Sequence, residues 1–206
     1  MTLSSRSKFV LMFIFFSIPI TASYLTFFFW QPGATNNFGE LITPVIALPQ
    51  QRLTFDDGAD APRAAADVAL RGKWLLMTVD RGECDAACRK KMYAIRQVRQ
   101  ILGRDQDRVA RVALLTDASR PDQRARRDYA GTAWVQASES VWLRLLPVND
   151  GSSPHDYIYA VDPMGNLFMR YRADADIKHI VADFKRVLKA SQLGKEFEGK
   201  AATNER

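Results

Sequence analysis

The sequence predicts an α/β domain, a mixed sheet flanked by helices, behind an N-terminal transmembrane helix. Three observations carry this. An uncharged block runs from Phe9 to Trp30. Beyond it, short apolar runs bounded by turn residues alternate with segments of helical period. The 206 residues hold one domain plus accessory segments, too few for two full domains.

The uncharged block is 22 residues long. At the helical rise it reaches roughly 33 Å, the depth of a bilayer core. A membrane helix tolerates Pro19, and Tyr24 and Trp30 lie toward its far end, Trp30 where an interfacial aromatic sits. Arg6 and Lys8 precede the block, and Glu40 is the first charge after it. The positive-inside rule then puts residues 1–8 in the cytoplasm and the bulk of the chain outside. Ile20-Thr21-Ala22 offers a signal-peptide cleavage site, but the apolar run continues eight residues further, too far for a signal core. In a bacterium the expectation is a single-pass inner (cytoplasmic) membrane protein with its domain in the periplasm, where cysteine pairs oxidise.

Residues 31–50 carry Pro32, Gly33, Pro44 and Pro49 and read as an extended linker. The domain is expected over 51–192 and a flexible tail over 193–206. Arg52 to Asp57 predicts a short edge strand, and Asp57-Gly58 a turn. Lys73 to Asp80 (KWLLMTVD) predicts a buried strand. Ala94, Ile95, Val98, Ile101 and Leu102 repeat at helical spacing, with Ala87, Cys88 and Met92 extending the stripe backwards and Gly103 stopping it. Val109 to Thr116 is a second buried strand, and Pro121 opens a polar helix to about Ala130. Asp156 to Asp162, the turn Pro163-Met164-Gly165-Asn166 and Leu167 to Tyr171 form a hairpin. Ile177, Ile180, Val181, Phe184, Val187 and Leu188 mark a final amphipathic helix. Two strands joined by a helix imply a right-handed parallel crossover. With the antiparallel hairpin and last helix, this is the thioredoxin arrangement.

The formal charge is +6, but Lys and Arg are dispersed among Asp and Glu. That pattern reads as a solvated surface and gives no nucleic-acid footprint. The run Arg120, Arg124, Arg126, Arg127 is kept as a candidate contact for an acidic partner.

The two cysteines, Cys84 and Cys88, follow a buried strand at the start of a helix. Unpaired backbone N–H groups and the helix dipole favour thiolate there. A spacing of four puts both sulfurs on one helical face at an exposed helix start, within disulfide range. The same pair suits a soft ion, above all Cu(I). A third ligand is available in His155, on the loop feeding the third strand, with water or Met164 as substitutes; His179 reads as a surface residue on the last helix.

These residues resemble the Sco/SenC family of cytochrome oxidase copper-assembly proteins. The match lies in the anchor, the two cysteines three residues apart, Arg71-Gly72-Lys73, and the run His155-Asp156-Tyr157-Ile158-Tyr159-Ala160-Val161-Asp162-Pro163-Met164-Gly165. It covers about residues 70–190. The family usually has Pro after each cysteine, where this chain has Asp85 and Arg89, and an aromatic approach to the first cysteine, where it has Asp80-Arg81-Gly82-Glu83. The resemblance implies a metallochaperone with copper held by Cys84, Cys88 and His155, delivered to the binuclear copper centre of the copper-bearing oxidase subunit.

A thiol–disulfide oxidoreductase using the same pair is the alternative, with Pro154 in the place of that fold's cis-proline. A peroxiredoxin wants Thr or Ser three residues before its nucleophile, and Arg81 stands there. A non-catalytic scaffold that meets the oxidase through its surface is the third alternative.

Overall fold

The computed structural model describes residues 5–29, 37–50, 52–55, 63–66 and 70–191. Trp30, most of the linker before residue 37, the Asp57-Gly58 turn and the expected tail lie outside the described residues. The chain divides into two compact units, 1–36 and 37–206.

The first unit holds helix α1, Ser5–Phe29, with Pro19 inside it. It is long and apolar enough to cross a membrane over Arg6–Phe28. Inside it, Ser17, Thr21 and Thr26 donate to carbonyls one turn back, so their hydroxyls are satisfied within the helix.

The second unit is a thioredoxin-like mixed sheet with helices on its faces. Its strands are β1 (Glu40–Ala47), β2 (Arg52–Phe55), β3 (Arg63–Ala66), β4 (Trp74–Asp80), β5 (Val109–Leu115), β6 (Thr132–Gln136), β7 (Tyr157–Val161) and β8 (Asn166–Arg172). Its helices are α2 (Ala86–Ile101), α3 (Gln123–Asp128), α4 (Val141–Leu145) and α5 (Ile177–Ala190). The order across the sheet is β1-β8-β7-β4-β5-β6-β2-β3. β4 and β5 run parallel, as their helical crossover requires, and β7–β8 is the expected antiparallel hairpin.

Period-two alternation divides β4 between two cores. Leu76 joins Met92, Ile95 and Val98 of α2 and Ile180, Phe184 and Leu188 of α5 on one face. Leu75, Met77 and Val79 face the other side with Trp142, Leu146, Tyr159 and Leu167. On β5, Val109, Ala113 and Leu115 belong to the α2 face and Val112 and Leu114 to the opposite one. Ile101, counted in the helical stripe, is instead exposed at the last position of α2.

Four elements were not expected. Residues 40–47 form an edge strand on β8 rather than linker. Only Ile42 of β1 is fully buried, so its sequence shows no alternation, and Pro44 is tolerated because it lies on an edge strand. β6 is five residues long and α4 has five, too short to show a period. β3 comes from the Ala-rich stretch, whose composition favours no strand.

Two ion clusters tie β1 and the segment before it to the domain. Arg170 grips Glu40 with both branches of its guanidinium, Nε to Oε2 at 2.9 Å and Nη2 to Oε1 at 2.7 Å. Buried Asp183 of α5 accepts from the backbone N–H of Phe38 (3.0 Å) and Gly39 (2.9 Å), from Tyr171 Oη (3.3 Å) and from Arg186 (3.1 Å). Asp183→Ala strands those donors, so a loss of about 3 kcal/mol is expected in urea unfolding; a loss below about 1 kcal/mol would show that water replaces the carboxylate. The Arg170 hydrogen bond holds the Glu40 carboxyl below its ordinary range. A depressed carboxyl stabilises above its unfolded value, and that contribution is lost as pH falls through its folded value. Glu40→Gln is therefore expected to be less stable than wild type at neutral pH, with the two unfolding curves converging in acid. A gap that persists unchanged in acid would assign the effect to something other than this ion pair.

Candidate redox and metal site

The site forms where β4 runs into α2. Asp85 caps the helix: its Oδ1 accepts from Cys88 N–H at 2.9 Å. The helix therefore begins after Cys84, which sits in the preceding turn with its N–H on Arg81 O at 3.1 Å. Cys84 has φ +48°, the left-handed region that a residue with a Cβ enters at a cost of about 1–3 kcal/mol. The expected helical i, i+4 geometry is thus replaced by a turn-to-helix pair. The bond itself is formed: Cys84 and Cys88 are joined as a disulfide with Cα atoms 5.0 Å apart. Both cysteines are 1% exposed, not at an open helix start, because they pack into the core shared by α2 and α5.

The turn is held from the opposite side by the loop after β5. Asp117 Oδ1 accepts from Gly82 N–H at 2.9 Å and from Ser119 Oγ at 2.6 Å. These donors, with Arg81 3.4 Å away, keep the Asp117 carboxyl below its ordinary range. The approach is so close that a Cβ on Gly82 would lie 2.0 Å from Ser119 O, so glycine is required there.

Beneath the pair lies a buried charge that the sequence reading assigned to the surface. Lys91, 1% exposed, occupies the apolar stripe of α2 one turn after Cys88. Its ammonium has three N–H groups and three acceptors: Asp80 Oδ1 at 2.8 Å, Val79 O at 2.8 Å and His155 O at 2.6 Å. Asp80 Oδ2 is buried with no protein partner among the described residues. Burial pushes the Asp80 carboxyl upward, against the opposing attraction of Lys91. The available signal was positional: a lysine at i+3 from a cysteine on an apolar stripe, and an aspartate ending a strand whose other residues, Thr78 apart, are apolar.

His155 lies in the 3-10 turn Pro154–Asp156, capped by Ser153. It lines the same cavity as Cys84, about 330 Å³ in volume, together with Asp80, Glu83, Asp85, Lys91 and Asp156. Among the described residues no group of three or more His, Cys, Asp or Glu is arranged to hold a metal ion. In this disulfide form both sulfurs are bonded to each other. The bond before Pro154 is trans, the one cis bond among the described residues being Thr43–Pro44. Met164 is at the tip of the β7–β8 hairpin and does not line the cavity. His179 is exposed on α5, where its ring stacks on Phe38 at 3.9 Å.

A family model described as transmembrane-like, thioredoxin-like, C-terminal domain matches residues 74–191. The chain belongs to that family. The match begins at β4 and ends just past α5, so this thioredoxin-like domain contains the disulfide, Lys91 and His155. No curated sequence matches the chain. Solved structures with the same fold include apo Sco1 from Thermus thermophilus, 14% identical over 75% of this chain and 99% of that one, with a TM-score of 0.56. Copper-bound ScoI from Arabidopsis thaliana is 12% identical over 71% of this chain and 100% of its own, with a TM-score of 0.55. BsSco, described through a disulfide switch as a member of the Sco family of cytochrome c oxidase assembly proteins, is 15% identical over 71% and 96%, with a TM-score of 0.51. The likeness of the thioredoxin-like domain to Sco proteins, first read from its residues, holds at the level of fold.

The Lys91–Asp80 pair yields a direct test. Lys91→Met leaves a buried carboxylate without its counter-ion and is expected to cost about 3–5 kcal/mol, whereas Lys91→Met with Asp80→Leu together recovers most of that loss. Urea unfolding of both variants checks it. Equal losses in the single and double variants would mean that the two groups are not coupled.

Proposed function

We propose that this chain is a membrane-anchored copper chaperone and thiol redox protein for the binuclear copper centre of cytochrome c oxidase. In this reading residues 1–8 are cytoplasmic, residues 9–30 cross the inner membrane, and the thioredoxin-like domain works in the periplasm. Copper is the cargo. The observation that carries the reading is that Cys84, one half of the disulfide, and His155 line one cavity. Lys91 supports it by bonding the His155 carbonyl to the end of β4.

The donor chemistry fits. Two thiolates and an imidazole form a mixed soft and borderline set that holds Cu(I) and still accommodates Cu(II). The cavity wall carries Asp80, Glu83, Asp85 and Asp156 against Arg81 and Lys91, an acidic balance that draws cations. The disulfide must first open: two electrons and two protons convert it to two thiols, and a donor dithiol becomes a disulfide. The client would be the copper-bearing oxidase subunit, a reading supported by the likeness to BsSco, a member of a family of cytochrome c oxidase assembly proteins.

A disulfide at a strained turn also favours a second reading, a thiol–disulfide oxidoreductase without copper. One titration separates the two. Reduced full chain in neutral detergent is titrated with Cu(I) against a chromophoric chelator. The first reading expects one Cu(I) per chain, no binding after Cys84→Ser with Cys88→Ser, and affinity at least about tenfold weaker in His155→Ala. His179→Ala should bind like wild type. Equal affinity for wild type and His155→Ala would remove the imidazole from the site; absence of binding by reduced wild type would leave the oxidoreductase.

A further inference from the structure

A second cavity, about 310 Å³, opens at the other end of α2, and nothing in the copper reading uses it. Arg96, Arg99 and Gln100 of α2 line it, with Arg111 of β5, Gln106 from the turn before β5, and Arg127, Asp128 and Ala130 from α3 and the turn after it.

Arg111 decides its character. It is 6% exposed, projecting from β5 on the α2 side among Val109, Ala113 and Leu115. Its Nη2 donates to Ala130 O at 2.5 Å. Its Nε and Nη1 are buried with no partner among the described residues. A guanidinium stays charged in a protein, so these are charged donors without an acceptor. Gly131, at φ +78°, makes room for the group: a Cβ there would stand 3.2 Å from Arg111 Nη2. Burial, with Arg99 and Arg96 nearby, draws the Arg111 guanidinium below its ordinary range.

The surrounding cations are only partly engaged. Arg96 Nη1 donates to Asp128 O at 2.9 Å. Arg99 Nε donates to Val109 O at 2.9 Å, and its Nη2 pairs with Asp107 at 3.0 Å. Among the described residues the Arg127 side chain has no hydrogen bond or ion pair, and the Asp128 carboxylate leans to Arg124 at 3.6 Å. Four guanidinium groups thus converge on one cavity with one carboxylate in its wall.

We propose that this cavity binds a phosphate-type oxyanion, with Arg111 at its floor and Arg96, Arg99 and Arg127 around it. The donors arrive from α2, β5 and α3, so they surround a ligand rather than meet one edge of it. A tetrahedral, multiply charged anion offers oxygens in all those directions, while a carboxylate offers two in a plane. The Gln100 and Gln106 side chains add neutral donors. Free phosphate and a phosphate monoester such as a phosphatidate headgroup share this chemistry.

The test is calorimetric titration of full chain in neutral detergent with inorganic phosphate, at ionic strength matched with chloride. Wild type should bind one phosphate per chain. Arg127→Ala, at an exposed position, should raise Kd at least about tenfold, and Arg111→Met should abolish binding. Arg124→Ala, outside the cavity, should bind like wild type. If Arg111→Met does not fold by circular dichroism, Arg127→Ala alone decides. Glycerol 3-phosphate is the second arm: competition with phosphate assigns the site to phosphate monoesters as well, and no competition assigns it to the free ion. Lack of saturable heat above chloride, or unchanged affinity in Arg127→Ala, overturns the proposal.

Discussion

The ammonium of Lys91 is the constraint on which the site's geometry depends. It is buried, so all three of its N–H groups must find acceptors, and they find them on three pieces of backbone and side chain around the β4–α2 junction. One acceptor is the carbonyl before the strand's last residue, one is that residue's carboxylate, and one is the carbonyl of His155, sixty-four positions away. Moving the His155 turn outward would leave a charged donor unpaired in the core. The turn is therefore held against the cysteine-bearing junction whatever the state of the sulfurs. Buried ion pairs add little net stability compared with an apolar pair of the same shape. Positioning accounts better for this one, because the third acceptor belongs to neither partner.

The two cysteines are placed unequally. Cys88 lies within the first turn of α2, yet its own N–H is taken by the Asp85 carboxylate. Cys84 lies outside the helix in a left-handed turn, held by Arg81 O, with its carbonyl receiving Arg89 Nε at 3.0 Å. Asp85 and Arg89 are the two positions where proline was expected from the resemblance. Each makes a hydrogen bond that fixes the turn, and a proline could make neither of these side-chain bonds. The carboxylate of Asp85 also sets a negative charge beside Cys88, which opposes the helix dipole's stabilisation of a thiolate there.

The fold was legible where burial is one-sided or complete. β4, β5 and the β7–β8 hairpin were read nearly to their ends because short, mostly apolar runs between turn residues admit few alternatives. α2 and α5 were read from stripes that face one core. The edges were not legible: β1 buries one side chain fully, and β6 and α4 are too short for a period. At the site, the disulfide partners and the placement of His155 near them were readable from spacing and order. Lys91 was not, since Arg89-Lys90-Lys91 looks like a solvated run unless its phase on the helix is followed. Arg111 went unremarked inside the strand VARVALL, although alternation with Val109, Ala113 and Leu115 puts it on the core face.

The two cavities give α2 a polarity along its length. Its N-terminal end faces a cavity walled mainly by carboxylates, and its C-terminal half faces one walled mainly by guanidinium groups. That is the arrangement the helix dipole favours, with acids at the positive end and bases toward the negative end. At each end the sheet beneath contributes one buried charged residue, Asp80 from β4 and Arg111 from β5, each with at least one atom unpartnered among the described residues. Both side chains leave the sheet on the face that α2 covers, and β4 and β5 are hydrogen-bonded neighbours in register. A single helix lying across two parallel strands thus separates a cation-attracting end, where the sulfurs are, from an anion-attracting end. Carboxylates that would attract a cation at the sulfur end repel an anion there, so the two ends select for opposite charge.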